Sequence, residues 1–487
     1  MMHNVPREIA LITKKIREAG FEVYLVGGCV RDLLLKKKPK DWDITTNAKP
    51  DDIQSLFSET FYTNDFGTVG IVNETDDDTL KIVEVTPYRT ESSYGDKRRP
   101  DSVTFGDSLE EDLARRDFTI NAIAFEDSKG QIVDPYKGQD AVLEKVIATV
   151  GDPEERFEED ALRLMRAIRF VAELDFAIDT NTATAIQKKA SNLKHISKER
   201  IRDEFIRIIM SDRPLIGLAL AERLGLLEYI IPDLARAVGV DQNQAHSFDV
   251  FEHVLRAVQH SADKKWDLDI RLSALFHDIG KTDSRRWSDE KKDWTFHGHE
   301  VVSMRIVKKT LSDLKFSRET INRVTKLVRW HMFFSDPDKI TLSAVRRMIS
   351  NVGEENIWDL LNLRICDRVG TGRPKEQPFR FRKYKAMVEQ ALRDPISVSM
   401  LKTDGRHLME RFHVEPGPRI GWTLHALLEE VLEDPKKNTE EYLDKRSEEL
   451  LELSDEELSV LGKSGKQKQE DFEQVEVGKI MQKHHVR

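Results

Sequence analysis

The hydrophobic period of this chain changes once, near residue 155, and that change limits its architecture more than any other feature. Before it, short apolar or alternating runs occur at Val23–Val26, Asp41–Thr46, 66–72, 81–86 and 121–125, separated by turn residues, as strands require. An amphipathic helix is expected over 5–19, with Ile9, Ile12 and Ile16 on one face. After it, helical spacing dominates to about residue 450, interrupted by Pro-containing turns at Pro214, Pro232, Pro337 and Pro374. No fixed-period repeat is present. The expected fold is α+β, a small mixed head followed by an all-helical remainder. At 487 residues the chain is too long for one ordinary domain, and length alone suggests roughly three units. From about residue 452 the sequence is rich in Glu, Lys, Gln and Ser and reads as either a solvated helix or a disordered extension.

Hydrophobic residues make up 39% and charged residues 34%, which is enough apolar content for several cores in a highly charged globular protein. No stretch approaches the ~18 apolar residues of a membrane helix, so no membrane association is expected. The segment MMHNVPREIALITKK mixes charge into its apolar positions and lacks the apolar block of a signal peptide. Two cysteines, Cys29 and Cys366, supply neither a disulfide framework nor a Cys-rich zinc site, and a reducing, cytoplasmic setting is expected. The net charge of −10 argues against non-specific coating of nucleic acid. It leaves room for a local basic cleft, and so for RNA as a substrate.

The segment VGGCVRDLLLKKKPKDWDITT (26–46) carries the strongest chemical signal. Gly27 and Gly28 at a strand end let backbone N–H groups approach phosphates, since no Cβ intervenes. Arg31, one helical turn later, adds a charge-assisted contact to a triphosphate. Asp41 and Asp43 are two apart on an expected strand, so both carboxylates point to one face while Trp42 points to the core. Two Mg²⁺ ions about 3.5–4 Å apart, clamping the oxygens of a phosphoryl transfer, need such a pair. Glu84, in IVEVTPYR, is a third acid within the same part of the chain.

GGxVRD, then DxD, then RRDFTINAIAF (115–125) and ERFEEDALRLMRAIRF (155–170) together resemble the class II tRNA nucleotidyltransferase and bacterial poly(A) polymerase family, from about residue 20 to 215. The resemblance implies a nucleotidyltransferase head over 1–148 and a helical neck over 149–215. It further implies an HD body over 216–395 and an RNA-binding tail over 396–451, with 452–487 as a charged extension. It places Gly28 and Arg31 at the triphosphate, Asp41 and Asp43 on Mg²⁺, and Arg116 and Asp117 at the ribose and phosphates. In the neck, Ala161, Met165, Ile168 and Ala172 make the buried stripe of a helix. Asp160 and Arg163 lie three apart on its polar side. An Arg fork donates to ring acceptors of cytosine or adenine and Asp accepts from the exocyclic amine, whereas uracil and guanine present the opposite polarity. The family assigns base selection to this pair. Arg166 and Arg169 then serve the triphosphate or the packing of the helix.

Within that family, NDFGTVGIV (64–72) looks like the tRNA branch. RTESSYGDKRRPDSVTF (89–105) resembles the flexible loop that CCA-adding enzymes keep for the final A. The stretch 404–439 resembles their tRNA-binding tail, and its Pro416-Gly417-Pro418 reads as a rigid turn into a helix. The implied activity is CCA addition to tRNA from CTP and ATP, with tRNA as partner and no obligate protein partner implied. The alternatives are a poly(A) polymerase on the same scaffold, or an HD nucleotide phosphohydrolase whose head only binds.

A second constellation comprises FEHVLRA, LFHDIGK, FHGHEVVS, VRWHMFF and LRICDRVG. It resembles the HD superfamily, in which His253, His277, Asp278 and Asp367 would hold one divalent metal. His299 and His331 stand where some members hold a second. Imidazole and carboxylate ligands suit Mn, Ni, Zn, Fe or Mg alike. Relatives with a complete set hydrolyse cyclic 2′,3′-phosphates or phosphomonoesters, so a second activity on RNA ends is expected.

Overall fold

The computed structural model describes residues 5–63, 67–92, 102–106, 108–243, 247–333, 336–373, 375–393 and 397–486. The expected N-terminal helix forms over Arg7–Glu18 and buries Ile9, Ile12 and Ile16. Among the described residues, strands β1 (Val23–Val26), β2 (Asp43–Thr46), β3 (Thr60–Tyr62), β4 (Val69–Val72), β5 (Ile82–Pro87), β6 (Arg89–Ser92), β7 (Ser102–Phe105), β8 (Ala124–Glu126) and β9 (Gln131–Val133) follow. Seven of them form one sheet in the order β3-β4-β5-β2-β1-β8-β9, while β6 and β7 pair as a separate ribbon. The central β2–β5 pair is parallel and sets Asp43 opposite Glu84. The other neighbours in the sheet run antiparallel.

The local reading of the strands shifts in three places. β2 begins at Asp43, so Asp41 and Trp42 lie in its approach, with Trp42 buried all the same. The run at 121–125 divides into a 3₁₀ turn, Thr119–Asn121, and then β8. The Asp117 carboxylate accounts for this, because it accepts from Phe118 N at 2.8 Å and from Asn121 Nδ2 at 3.2 Å and holds the turn. The loop expected over 89–105 has its arms paired as β6 and β7, and its centre at 93–101 lies outside the described residues. Residues 64–66 of the 64–72 segment and Pro374 also lie outside them.

The chain divides into two compact units, residues 1–331 with 362–374, and residues 332–361 with 375–487. The expected 216–395 segment is thus shared between them. In the first unit the neck helix Leu162–Leu174 buries Met165, Ile168 and Ala172, with Ala161 buried at its start, as the spacing predicts. Pro214 and Pro232 open helices (Pro214–Arg223 and Pro232–Ala235), where a missing N–H would have had no partner anyway.

The second unit gathers Leu408, Leu424, Leu427, Leu443 and Leu450 into a core between helices. Pro416-Gly417-Pro418 leads into helix Pro418–Glu433, as expected. Of the two readings for the C-terminal stretch, the helix is the one that forms, over Asp455–Lys483, opened by a Ser454/Glu457 capping box. Most of it is exposed, as a solvated helix is, while Leu458, Gly462, Gly465, Gly478 and Ile480 are buried. At Gly462 and Gly465 the helix comes so close to helix Pro418–Glu433 that an added Cβ would lie 2.5 Å from Trp422 Cα and 2.1 Å from the His425 carbonyl oxygen. Charge-rich composition hid these two small contact points.

Gly465→Ala is therefore expected to destabilise the protein by about 1–3 kcal/mol, because backbone must move to admit one methyl. Gly421→Ala, on helix Pro418–Glu433, would meet nothing within 4 Å. It should stabilise by up to about 1 kcal/mol through helix propensity. Denaturant unfolding of both variants, with opposite signs expected, checks the packing.

Candidate functional site

Gly27 ends β1 at φ +76°, ψ −133°, a conformation for which glycine is suited. A side chain there would also meet Arg116 Nη1 at 3.1 Å and Asp43 Oδ2 at 3.6 Å. At Gly28 a Cβ would lie 3.9 Å from Asp41 Oδ1. The glycine pair thus keeps open the space in front of both aspartates. Burial pushes Asp43 up to about 6, with the Asp41 charge adding to it and Arg116 opposing it. Glu84, its neighbour across β5, is raised by partial burial and then by Asp41. Carboxylates that hinder one another's ionisation form the donor set of a hard cation, which relieves the repulsion. The residues present fit Mg²⁺.

Asp41 and Asp43 open on a cavity of about 750 Å³ lined by head and neck together. Gly27, Gly28, Arg31, Arg116 and Asp117 line it from the head. Asp160, Arg163, Arg166 and Arg169 line it from the neck; Glu84 does not reach it. The arginines are held by acids. Arg31 donates to Asn121 Oδ1 at 2.8 Å and to Asp32 Oδ1 at 2.8 Å. Arg116 Nη2 donates at 3.1 Å to the fully buried Asp112. Arg166 Nε donates to Asp117 Oδ2 at 2.6 Å. Burial works against the Asp117 charge, but Arg166 and the Asn121 hydrogen bond outweigh it and hold the carboxyl down at about 2. Arg169 takes the packing role, donating to Glu204 Oε1 at 3.0 Å and lying over the Phe170 ring at 4.4 Å.

Asp160 and Arg163 sit differently from the sequence expectation. Asp160 is not on the neck helix. It lies in extended conformation between helices Pro153–Glu159 and Leu162–Leu174, and its Oδ1 accepts from Leu162 N at 3.0 Å. Asp competes well for such junctions because its short carboxylate caps a helix start. Arg163 is buried rather than on a solvated face. It donates to Glu159 at 2.6 Å, Arg156 O at 3.2 Å and Arg115 O at 3.0 Å, leaving two of its five N–H groups for another acceptor. The two side chains do not pair with each other among the described hydrogen bonds. Arg200, which sequence reasoning missed, donates to Asp160 Oδ2 at 2.6 Å. Arg200 and Glu204 lie four apart on helix Lys198–Met210, a pattern common on any helix surface.

The second constellation assembles as expected. His253, His277, Asp278 and Asp367 form one group, and Asp278, His299 and His331 another, with ligand atoms in each group within 4.8 Å of one another. Asp278 bridges them. Its Oδ2 lies 3.0 Å from His253 Nε2, and its Oδ1 lies 3.1 Å from His299 Nε2 and 3.4 Å from His331 Nε2. Asp367 Oδ1 is 3.5 Å from His253 Nε2 and 3.7 Å from His277 Nε2. The Nδ1 atoms of His277, His299 and His331 lie 2.9, 2.7 and 2.7 Å from the carbonyls of Ala274, Phe296 and Val328. Donation there leaves each neutral ring an Nε2 lone pair aimed inward, the arrangement of metal-ligating histidines. Lone pairs facing each other at 3.0 Å, as in His253 and His277, need a proton or a cation between them. The donor set fits a divalent metal. Burial opposes the charge of Asp278, yet Lys281 at 2.6 Å and His277 keep its carboxyl well below the usual range. Lys281 was missed as a participant, although its place three residues after Asp278 was a usable signal.

Three family profiles match the chain. The family profile "Poly A polymerase head domain" matches residues 23–148. "Probable RNA and SrmB- binding site of polymerase A" matches 175–238, and "HD domain" matches 250–368. A CCA-adding enzyme of Ligilactobacillus salivarius is 31% identical over 459 residues, 93% of this chain and 99% of the relative. One from Geobacillus sp. is 47% identical over 220 residues, 45% of this chain and 53% of the relative, so the chain spans about half the length of such relatives. The crystal structure of the Bacillus stearothermophilus CCA-adding enzyme in complex with CTP superposes with a TM-score of 0.60 at 27% identity, covering 91% of this chain and 98% of that one. The fold is that of a nucleotidyltransferase head followed by an HD-containing helical body. The chain belongs to the CCA-adding enzyme family, within the wider group that shares the poly(A) polymerase head.

No helix among the described residues is long and apolar enough to cross a membrane.

The Asp117–Arg166 pair makes a pH prediction. A carboxyl held at about 2 in the folded state stabilises it at every pH above its ordinary value, and the gain is lost as pH falls through that value toward 2. Asp117→Asn should destabilise by about 2 kcal/mol at pH 7 and by about half as much at pH 3. Denaturant unfolding of wild type and variant at the two pH values measures the difference.

Proposed function

We propose that the protein adds C, C and A in turn to tRNA 3′ ends, from CTP and ATP, with release of pyrophosphate. The observation that carries this reading is the single cavity in which the aspartates, the glycine loop and the Asp160–Arg163 pair meet. The 3′-hydroxyl oxygen of the RNA bonds to the α-phosphorus, and the bond to the leaving pyrophosphate breaks. Asp41 and Asp43 would hold Mg²⁺, with Glu84 adding charge behind Asp43. When bound, the metal neutralises phosphate charge and favours the attacking oxygen. Gly27 and Gly28 leave room for the triphosphate, and Arg31 and Arg116 face it with guanidinium groups already oriented by Asn121 and Asp112. The unused N–H groups of Arg163 and the carboxylate of Asp160, braced by Arg200, would read cytosine or adenine. tRNA is the macromolecular partner, and a cytoplasmic location accords with two buried free cysteines.

We also propose a second activity, metal-dependent hydrolysis of 2′,3′-cyclic phosphates or phosphomonoesters at RNA ends. The complete and overlapping ligand groups around Asp278 favour it. A divalent metal there would activate water and polarise the phosphoryl oxygen.

Incubation with tRNA lacking its tail, with CTP, ATP or both, followed by product sequencing, tests the main reading. A homopolymeric A ladder would identify a poly(A) polymerase instead. Asp41→Ala or Asp43→Ala should lower addition by about 10³-fold or more while the circular dichroism spectrum is kept. Retention of more than a tenth of the wild-type rate would remove the metal assignment.

The two activities should separate by mutation. Asp278→Ala should abolish hydrolysis of a 2′,3′-cyclic nucleotide and leave CCA addition within a few-fold, and Asp41→Ala should do the reverse. Loss of both activities in either variant would argue for one shared centre.

A further inference from the structure

Between Asp278 and His299 the chain makes a small antiparallel hairpin, Arg286–Ser288 against Asp293–Thr295, which neither proposed activity uses. Trp287 and Trp294 are direct partners across it, with ring centroids 5.2 Å apart and planes at 78°. Arg285 lies 3.7 Å over the Trp294 ring, which fixes that indole from one side. Trp287 is 51% exposed. Its Nε1 donates to Asp289 Oδ1 at 3.3 Å, so its polar edge is satisfied while much of the ring stays open to water. A cross-strand pair stabilises a hairpin through the faces that meet. It gives no reason to leave half of a large indole uncovered.

The base of the hairpin is tied to the histidine–aspartate centre. Phe296 follows the second strand directly, and its carbonyl accepts from His299 Nδ1 at 2.7 Å. Lys281, paired with Asp278 at 2.6 Å, sits over the Phe296 ring at 5.5 Å. Trp294 is two residues before Phe296, about 7 Å along an extended strand. The strand that carries Trp294 therefore runs directly into the segment that carries His299, with Trp294 and Phe296 on the same face of it.

We infer that Trp287, backed by Trp294, is a stacking platform for a base of single-stranded RNA whose terminal phosphoester lies at the histidine–aspartate centre. The inference rests on the proposed hydrolytic activity and narrows its substrate to polynucleotide ends rather than free nucleotides. Stacking on an indole is tolerant of base identity, since every base has a π face, and suits an enzyme that meets varied RNA ends. A mononucleotide held at the centre carries no second base to stack on such a platform.

The full chain, supplied with Mn²⁺ or Ni²⁺, would be assayed on three substrates: an aryl phosphate, a 2′,3′-cyclic mononucleotide, and a trinucleotide ending in a 2′,3′-cyclic phosphate. For Trp287→Ala the KM for the trinucleotide should rise about tenfold or more, with kcat within about twofold. The two small substrates should be turned over as by the wild type. Trp287→Phe, which keeps an aromatic face and the hairpin pair, should recover most of the affinity. An unchanged trinucleotide KM in Trp287→Ala, or an equal loss on all three substrates, would overturn the platform while leaving the hydrolytic activity standing. Hydrolysis of none of the three by the wild-type protein would remove the hydrolytic reading, and the platform with it.

Discussion

A part-buried ion pair, Arg166 to Asp117 at 2.6 Å, joins the neck to the head, and both residues line the cavity that the two share. The same carboxylate holds Asn121, and Asn121 in turn accepts from Arg31 at 2.8 Å. An unbroken polar chain thus runs from the neck helix to the glycine loop. In a low-dielectric interior each member polarises the next, and removing one leaves its partner charged and unpaired. A network of this kind orients guanidinium groups before any anion arrives, which lowers the reorganisation that binding or catalysis requires.

The two candidate centres handle negative charge in opposite ways. In the head, Asp43 and Glu84 are raised by burial and by Asp41, so the site carries unrelieved repulsion that a cation would discharge. In the body, Asp278 and Asp367 are kept ionised by nearby cations, Lys281 and Arg364 respectively, despite burial. Arg364 lies 2.6 Å from Asp367 Oδ2, on the side away from the histidines that approach Oδ1.

Much of this was legible in the chain because it is written in local periods. Val23–Val26 forms a strand and residues 7–18 form a helix, as their apolar spacing requires. The six metal-ligand candidates of the body converge from several helices, and the resemblance of their motifs to the HD superfamily marked them in advance. The misreadings share one cause, side chains that act on distant or non-periodic backbone. Asp160 falls out of the neck helix because it caps Leu162, although the apolar stripe beside it continues unbroken. Arg163 is drawn inward by three oxygens, one of them 48 residues away at Arg115. In the C-terminal stretch, Gly462 and Gly465 weigh nothing in a composition count, yet they let two helices meet.

The sequence by itself determined the order of head and helical body and the acidic pair after the glycine loop, while the histidine–aspartate set was marked by its resemblance to the HD superfamily. Each depends on residue type and spacing within a few turns of chain. Tertiary structure alone decided that head and neck share one cavity, that Arg200 braces Asp160, that Asp278 belongs to two histidine–aspartate groups, and that two indoles pair across the hairpin leading to His299. Most of those relations join residues tens of positions apart, and burial makes them matter. Once water is excluded, a carboxylate or guanidinium must take whatever partner the packing brings within reach, and nothing local in the sequence names that partner.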